Sequence, residues 1–260
     1  MRPRKEYYHR KLPHFQQPGQ WYSITFTLVG AMPKGAMDKY SLDLEIAKNR
    51  VQELGLYQVS GFEAACFQIP EIGNKGLSSS RESDFPKSDK NFDFGKSKSQ
   101  LAQAQKDYQI ALRKYRFAYD KNLHNSTEPT ILLIKENNRI LIENALLFWE
   151  GKRLTNHAWC IMSNHVHWVL SVSEKDENGK PVFLEDILHS VKLFTARRIN
   201  DNEGKSGQFW EHESFDTTIR NETHFANVVN YVINNPVSAG LVSDWRDWPG
   251  TRVFGDVGIS

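Results

Sequence analysis

Residues 154–172, LTNHAWCIMSNHVHWVLSV, constrain the fold of this chain more than any other segment. Apolar and β-branched side chains fill both halves of the segment, and the polar pair Ser163 and Asn164 interrupts them. Two strands joined by a tight turn account for this pattern. The segment therefore predicts a β-hairpin.

Other strands and helices are predicted on both sides of the hairpin. Residues 20–29 and 208–220 alternate apolar with polar side chains, as half-buried strands do. Helical periodicity or composition marks residues 38–54, 100–122, 131–149, 184–200 and the segment after Asn221. We expect Gly151 to cap the third helix, Asn221 to begin the last and Pro236 to end it. This order predicts an α+β fold in which helices cover an antiparallel sheet.

A long stretch between the first predicted strand and the hairpin interrupts this pattern. Gly, Ser, Lys, Asp and Pro dominate residues 61–99, which contain little that could be buried. We expect residues 55–125 to form a mostly helical and partly flexible insertion. The rest of residues 1–260 is expected to form a single domain around it.

Composition and charge leave the partner open. The net charge of +2 and the pI near 8.4 are too mild to indicate nucleic-acid binding by themselves. No apolar run is long enough to cross a bilayer, so we expect no membrane association and a cytoplasmic location. Cys66 and Cys160 fit neither a disulfide framework nor a zinc–thiolate site, which predicts reduced, structural thiols.

The second strand of the hairpin carries two histidines, His165 and His167. Successive side chains of a strand point to opposite faces, so these two share a face. Two imidazoles on one face can chelate a single cation. The pair is weak evidence alone, because nine histidines would produce such a spacing by chance about one time in three.

A second feature is Tyr231, the only tyrosine after His167. It lies at the edge of the apolar stripe of the last predicted helix, with Asn227 and Asn235 one turn away on either side. These residues either cover the margin of the core or serve chemistry. A phenol, with a free pKa of about 10, becomes a useful nucleophile where a cation polarises the phosphate under attack.

The histidine pair and Asn235 together could supply three protein ligands to a cation. Positions would remain open for a phosphate oxygen and for water. Mg²⁺ or Mn²⁺ is the natural occupant when DNA phosphate supplies further oxygens.

The helix predicted at residues 184–200 carries Lys192, Arg197 and Arg198 on its polar side. A solvated helix face and a contact with DNA phosphates account for these charges equally well. Contact with DNA at these three residues is therefore a hypothesis.

Five blocks of the sequence, in this order, carry a resemblance to a known family: RKLPHFQQPGQWYSITFTLVGAMP, HAWCIMSNHVHWVL, SVKLFTARRIN, FWEHESFDTTIRNETHF and NYVINNPVSAGLV. They resemble the HUH single-tyrosine transposases, and among these the REP-associated tyrosine transposases of bacteria. The closing segment DWRDWPGTRV is also similar to this family.

The resemblance implies a ferredoxin-like fold whose central strand carries the histidine pair. It places His165, His167 and Tyr231 on the motif positions of the family, and Asn235 where the family has its third metal ligand. The implied reaction cleaves single-stranded DNA beside a hairpin. The tyrosine attacks a phosphate, keeps the 5′ end as a phosphotyrosine and frees a 3′ hydroxyl. The implied protein is bacterial and nucleoid-associated, and is a monomer or a homodimer.

Three other functions remain open from the sequence. A replication initiator or relaxase shares the chemistry, although its frequent second tyrosine is absent here. A hairpin-binding protein could keep the fold without turnover. An unrelated metalloprotein could use the histidine pair, although a carboxylate or third histidine at helical spacing is missing.

Overall fold

The computed structural model describes residues 7–9, 13–15, 17–56, 94–126 and 131–255. The chain divides into two compact units. The first consists of Met1–Pro33 with Asn122–Ser260, and the second is Lys34–Lys121. The predicted hairpin, its histidines and the tyrosine all belong to the first unit.

Short and long strands make up the sheet structure of the first unit. In chain order they are β1 (Tyr7–His9), β2 (Pro13–Phe15), β3 (Trp21–Leu28), β4 (Leu154–Ile161), β5 (His165–Val172), β6 (Trp210–Thr218) and β7 (Thr251–Val253). Within the described residues, β1 pairs with β2, and the other strands form a five-stranded antiparallel sheet in the order β6-β3-β5-β4-β7.

The helices are α1 (Asp38–Leu56), α2 (Phe94–Asn125), α3 (Glu136–Leu147), α4 (Leu184–Asn202), α5 (Glu222–Ile233) and α6 (Asn235–Ser238). In the described part of the chain, the second unit contains α1 and most of α2, whereas the last turn of α2 is part of the first unit. No helix in the described part of the chain is both long enough and apolar enough to span a membrane.

The first unit has a ferredoxin-like arrangement. Its elements follow the chain order β3, α3, β4, β5, α4, β6, and the four strands lie in the sheet as β6-β3-β5-β4. The strand β7 extends this sheet at the free edge of β4. The predicted α+β fold is confirmed, and β5 is the central strand.

The two faces of β5 are covered by different helices. On one face, the Trp168 indole Nε1 donates to Asn156 Oδ1 at 2.6 Å, and Asn156 Nδ2 donates to the Leu146 carbonyl of α3 at 3.2 Å. The helix α4 packs against α3. On the opposite face, Val169 belongs to a buried cluster with three residues of α5, namely Val229, Val232 and Ile233.

The sequence accounts for the beginning of α5 but not for its end. The Asn221 side chain caps the N-terminus by accepting from the His224 backbone N–H at 2.8 Å, as predicted. The helix ends at Ile233, and Pro236 lies in the first turn of α6. Asn235 therefore begins a separate short helix, whereas the sequence placed it on the same helix as Tyr231.

Several boundaries differ from the predictions. Residues 94–99, predicted to be flexible, begin α2, while residues 61–93 of the same stretch lie outside the described residues. Gly151 does not cap α3, because the cap is Phe148 and Gly151, with a φ of 71°, belongs to the turn before β4. The strands β1, β2 and β7 were not predicted, since three residues are too few to show a period.

Cys160 is a free thiol in the core beneath α5. Burial raises its pKa to about 12, and a hydrogen bond from the Thr251 hydroxyl acts in the opposite direction. Such a thiol stays protonated and unreactive. Cys66 lies outside the described residues.

Trp168 and Trp159 provide a matched test of a buried hydrogen bond. They are fully buried partners across β4 and β5, but in the described part of the chain the Trp159 Nε1 has no hydrogen-bond partner. Trp168→Phe leaves the buried Asn156 Oδ1 without its donor, whereas Trp159→Phe leaves no acceptor behind. We expect Trp168→Phe to lower the free energy of unfolding by about 1–3 kcal/mol more than Trp159→Phe, as measured by urea denaturation. Equal losses would contradict this.

Candidate functional site

The strand β5 places His165 and His167 side by side on the face that α5 covers. Each side chain is only 1% exposed. Their Nε2 atoms are 3.0 Å apart, and the two rings meet edge to face. A pair of imidazole nitrogens therefore converges at one buried point.

Asn164, the turn residue before β5, fixes the tautomer of His165. Its Nδ2 donates to the Leu123 carbonyl at 2.9 Å, so its Oδ1 faces the His165 ring. The His165 Nδ1 then donates to this Oδ1 at 2.6 Å. The Nε2 of His165 therefore carries a lone pair toward the interior of the site.

Thr25 is the partner of the other histidine. It lies opposite His167 in the β3–β5 register, and its Oγ1 is 2.8 Å from His167 Nδ1. Since the His165 Nε2 carries no proton, the His167 Nε2 donates to it and the His167 Nδ1 accepts from the Thr25 hydroxyl. The hydroxyl can also accept, so it suits either tautomer of His167.

The electrostatic environment keeps His165 neutral. Burial is the main cause that lowers its pKa well below the usual value, and neighbouring His167 and His124 lower it further. A hydrogen bond with the Asn235 side chain opposes this effect. A neutral imidazole is the form that binds metals.

Tyr231 lies beside the histidine pair. Its ring packs edge to face against His167, with the ring centroids 5.7 Å apart, and its side chain is 48% exposed. The neighbouring α5 residues Val229, Val232 and Ile233 are buried, which holds the helix in place on the sheet. The chain therefore brings one solvent-accessible phenol next to its own two histidines.

Asn235 reaches the same cluster from the start of α6. Its side chain is 1% exposed, in contrast to that of Tyr231. The His124 Nε2 donates to the Asn235 Oδ1 at 2.8 Å, and the His124 ring lies 5.8 Å from that of His165 between centroids. His124 belongs to the last turn of α2 and was not a candidate from the sequence.

The donor atoms that meet here are two imidazole nitrogens and one amide oxygen. Within the described residues, no three side chains of His, Cys, Asp or Glu come close enough to hold a metal ion. The two Nε2 atoms lie 3.0 Å apart, so both could bind one cation, and the chemistry of the residues present fits such an ion.

The basic residues of α4 lie on the other face of the sheet. Lys192 Nζ donates to the Glu211 carbonyl at 3.0 Å and lies 5.8 Å from the ring centre of Phe26. Phe26 points away from the face on which Thr25 meets the histidines. Arg197 and Arg198 are exposed on the same helix. The structure thus does not bring the three predicted DNA contacts together with Tyr231.

Three residues of the site could not be recognised from the sequence. Asn164 was assigned only to the turn, and Thr25 was one of several hydroxyl residues on β3. His124 lies within the predicted insertion. The contacts of Thr25 and His124 depend on strand pairing and on where α2 ends, neither of which the sequence shows. For Asn164, its position next to the histidines was the one signal in the sequence.

Comparisons with known proteins give two relatives and one structural neighbour. No protein-family model matches the chain. It is 30% identical over 101 residues to the REP-associated tyrosine transposase of Escherichia coli, which covers 39% of this chain and 55% of that protein. A Haemophilus influenzae protein provisionally given the same name is 30% identical over 109 residues, covering 38% of this chain and 59% of that protein. The chain thus spans little more than half the length of these relatives.

Among solved structures, the chain resembles that of a REP-associated tyrosine transposase bound to a REP hairpin. The TM-score is 0.39 and the identity 17%, over 48% of this chain and 70% of that one. The resemblance predicted from the sequence blocks is confirmed by the curated relatives: the chain is similar to REP-associated tyrosine transposases.

Proposed function

We propose that this protein cleaves and rejoins single-stranded DNA beside a hairpin, as a REP-associated transposase. Tyr231 is the nucleophile, and His165, His167 and Asn235 are the ligands of Mg²⁺ or Mn²⁺. The observation that carries the proposal is the packing of the Tyr231 ring against His167 within one chain. The similarity to proteins named REP-associated tyrosine transposases supports it.

The transfer step needs no external energy source. The Tyr231 oxygen forms a bond to a DNA phosphorus and releases its proton to solvent, which reaches the half-exposed ring. The bond from phosphorus to the 3′ oxygen of the preceding nucleotide breaks, and this oxygen takes up a proton as a free 3′ hydroxyl. The 5′ end remains on Tyr231 as a phosphodiester, so attack by a 3′ hydroxyl reverses the step.

The histidine pair prepares the site for a cation. When bound, the ion would polarise the phosphate and stabilise the charge that develops during attack. His165 already presents a lone pair at Nε2, because Asn164 holds its proton on Nδ1. His167 would do the same with its proton on Nδ1, donating to the Thr25 hydroxyl.

The first test of this proposal is covalent capture. The protein would be incubated with Mn²⁺ and a labelled hairpin oligonucleotide with single-stranded flanks, drawn from its own genome. We expect a protein–DNA adduct that resists denaturing electrophoresis. Tyr231→Phe should abolish the adduct because it removes the nucleophile, and His165→Ala should reduce it at least tenfold, on the order of the loss of a metal ligand.

Tyr40→Phe, which removes another phenol from the chain, is the matched control and should leave the adduct intact. An adduct that persists in Tyr231→Phe would show that the nucleophile is a different residue. Binding without any adduct, on every hairpin tried, would reject the enzyme and leave a hairpin-binding protein.

The Thr25 hydroxyl gives a second prediction. Thr25→Val keeps the shape of the side chain but cannot accept the His167 Nδ1 proton. We expect Mn²⁺ binding, measured by isothermal titration calorimetry, to weaken by about tenfold. Thr25→Ser should retain the wild-type affinity, and Ser23→Ala, on the same face of β3, should have no effect. A Thr25→Val protein that binds Mn²⁺ normally would contradict this role.

The basic residues of α4 give a third prediction. If Arg197 and Arg198 contact DNA phosphates, Arg197→Gln and Arg198→Gln should each weaken hairpin binding. Each change should also reduce the slope of log affinity against log salt by about one. Arg246→Gln removes an exposed arginine that pairs with Asp244 and serves as the control. Unchanged slopes, measured by fluorescence anisotropy, would mean that these charges form a solvated helix face.

A further inference from the structure

The last turn of α2 contacts the histidine site through two consecutive residues. The Leu123 side chain is 1% exposed, and its carbonyl accepts from Asn164, the residue that orients His165. The next residue, His124, donates from its Nε2 to the Asn235 Oδ1 at 2.8 Å. One end of this helix is thus bonded to both asparagines of the site.

The contact with Asn235 has a chemical consequence. A side-chain amide can present either its oxygen or its nitrogen, and only the oxygen has a lone pair for a cation. Since Oδ1 cannot donate, the His124 ring must carry its proton on Nε2. This donor favours the amide orientation in which Oδ1 faces His124, and the same side chain lies within hydrogen-bonding reach of His165. One lone pair of the oxygen is used, and the other remains available.

We propose that His124 is a positioning residue of the metal site, whose Nε2–H holds the Asn235 oxygen in the orientation that binds the cation. This inference rests on the proposed function, because it requires that His165, His167 and Asn235 bind a metal. His124 contacts neither the DNA nor the reacting atoms in this role. It acts only through the amide of Asn235.

The pairing with His124 also bears on the limited freedom of the Asn235 side chain. Asn235 begins a helix of four residues and is 1% exposed, so its side chain has little freedom to approach a ligand by bending. The hydrogen bond with His124 of α2 therefore determines which way the amide faces. Mutation of a residue that orients a metal ligand typically lowers the metal affinity by about tenfold or more.

The test measures Mn²⁺ affinity by calorimetry and by the electron paramagnetic resonance signal of free Mn²⁺, with full-length protein. His124→Leu should weaken binding by about tenfold. His124→Gln should retain most of the affinity, because its amide N–H can replace the imidazole donor. His189→Leu removes an exposed histidine of α4 and should bind as the wild type does. At saturating Mn²⁺, the yield of the protein–DNA adduct in His124→Leu should return to the wild-type level.

A double-mutant cycle decides whether His124 acts through Asn235. Asn235→Ala should weaken Mn²⁺ binding, and adding His124→Leu should cause no further loss. An additional loss of about tenfold in the double variant would overturn the inference, since His124 would then act independently of the amide.

Other outcomes separate this inference from the proposed function. Equal Mn²⁺ affinity in the wild type and His124→Leu would overturn the role of His124 while leaving the metal site intact. No Mn²⁺ binding by the wild type, or no effect of His165→Ala, would overturn the metal site and the inference with it. If His124→Leu does not fold, His124→Asn takes its place. The amide introduced by His124→Asn is too short to reach Asn235, so we expect the His124→Asn protein to bind Mn²⁺ more weakly than the His124→Gln protein.

Discussion

The ladders that pair β5 with β3 on one edge and β4 on the other determine where the two histidines of the site lie. A strand held on both edges cannot shift by one residue without moving its side chains to the wrong face. Trp168 therefore points to α3 and α4, while His165 and His167 point to α5. The same register places Thr25 opposite His167. The position of the imidazole pair is thus a property of the sheet, not of a loop.

The polar groups of the site are oriented by neighbours at its borders. Asn164 comes from the turn before β5, Thr25 from β3, and His124 from the end of α2. Each makes a hydrogen bond to a proposed ligand residue: Asn164 to His165, Thr25 to His167 and His124 to Asn235. Buried polar groups require such partners, and the cost of leaving one unpaired exceeds the gain from the pair. The partners consequently fix the geometry of the site, and Asn164 also fixes the tautomer of His165.

Much of the first unit could be predicted because its elements carry strong local signals. The alternation in residues 20–29, the interruption at Ser163 and Asn164, and the cap at Asn221 each define an element without tertiary information. Contacts between distant residues leave no such signal. Leu123 and Asn164 meet only in the folded chain, and so do His124 and Asn235, so these pairs could not be inferred from periodicity.

The break between α5 and α6 was also beyond local reasoning. Pro236 was expected to end the helix, but α5 already ends at Ile233 and Pro236 lies in the first turn of α6, which begins at Asn235. Periodicity placed Tyr231 and Asn235 on one side of one helix. Their exposures, 48% and 1%, show instead that one faces solvent and the other the interior.

The short strand β7 has a consequence for how this protein behaves at high concentration. Without it, the outer edge of β4 would present an unbroken row of backbone donors and acceptors, which is a template for intermolecular strand addition. Pairing of Ala158, Trp159 and Cys160 with β7 occupies the part of that edge next to the histidine turn. At the other end of the sheet, β2 lies against β6, whose pairing with β3 is irregular between Phe26 and Leu28. In the described part of the chain, β7 thus shortens the free edge of β4, and β2 contacts the strand at the opposite border.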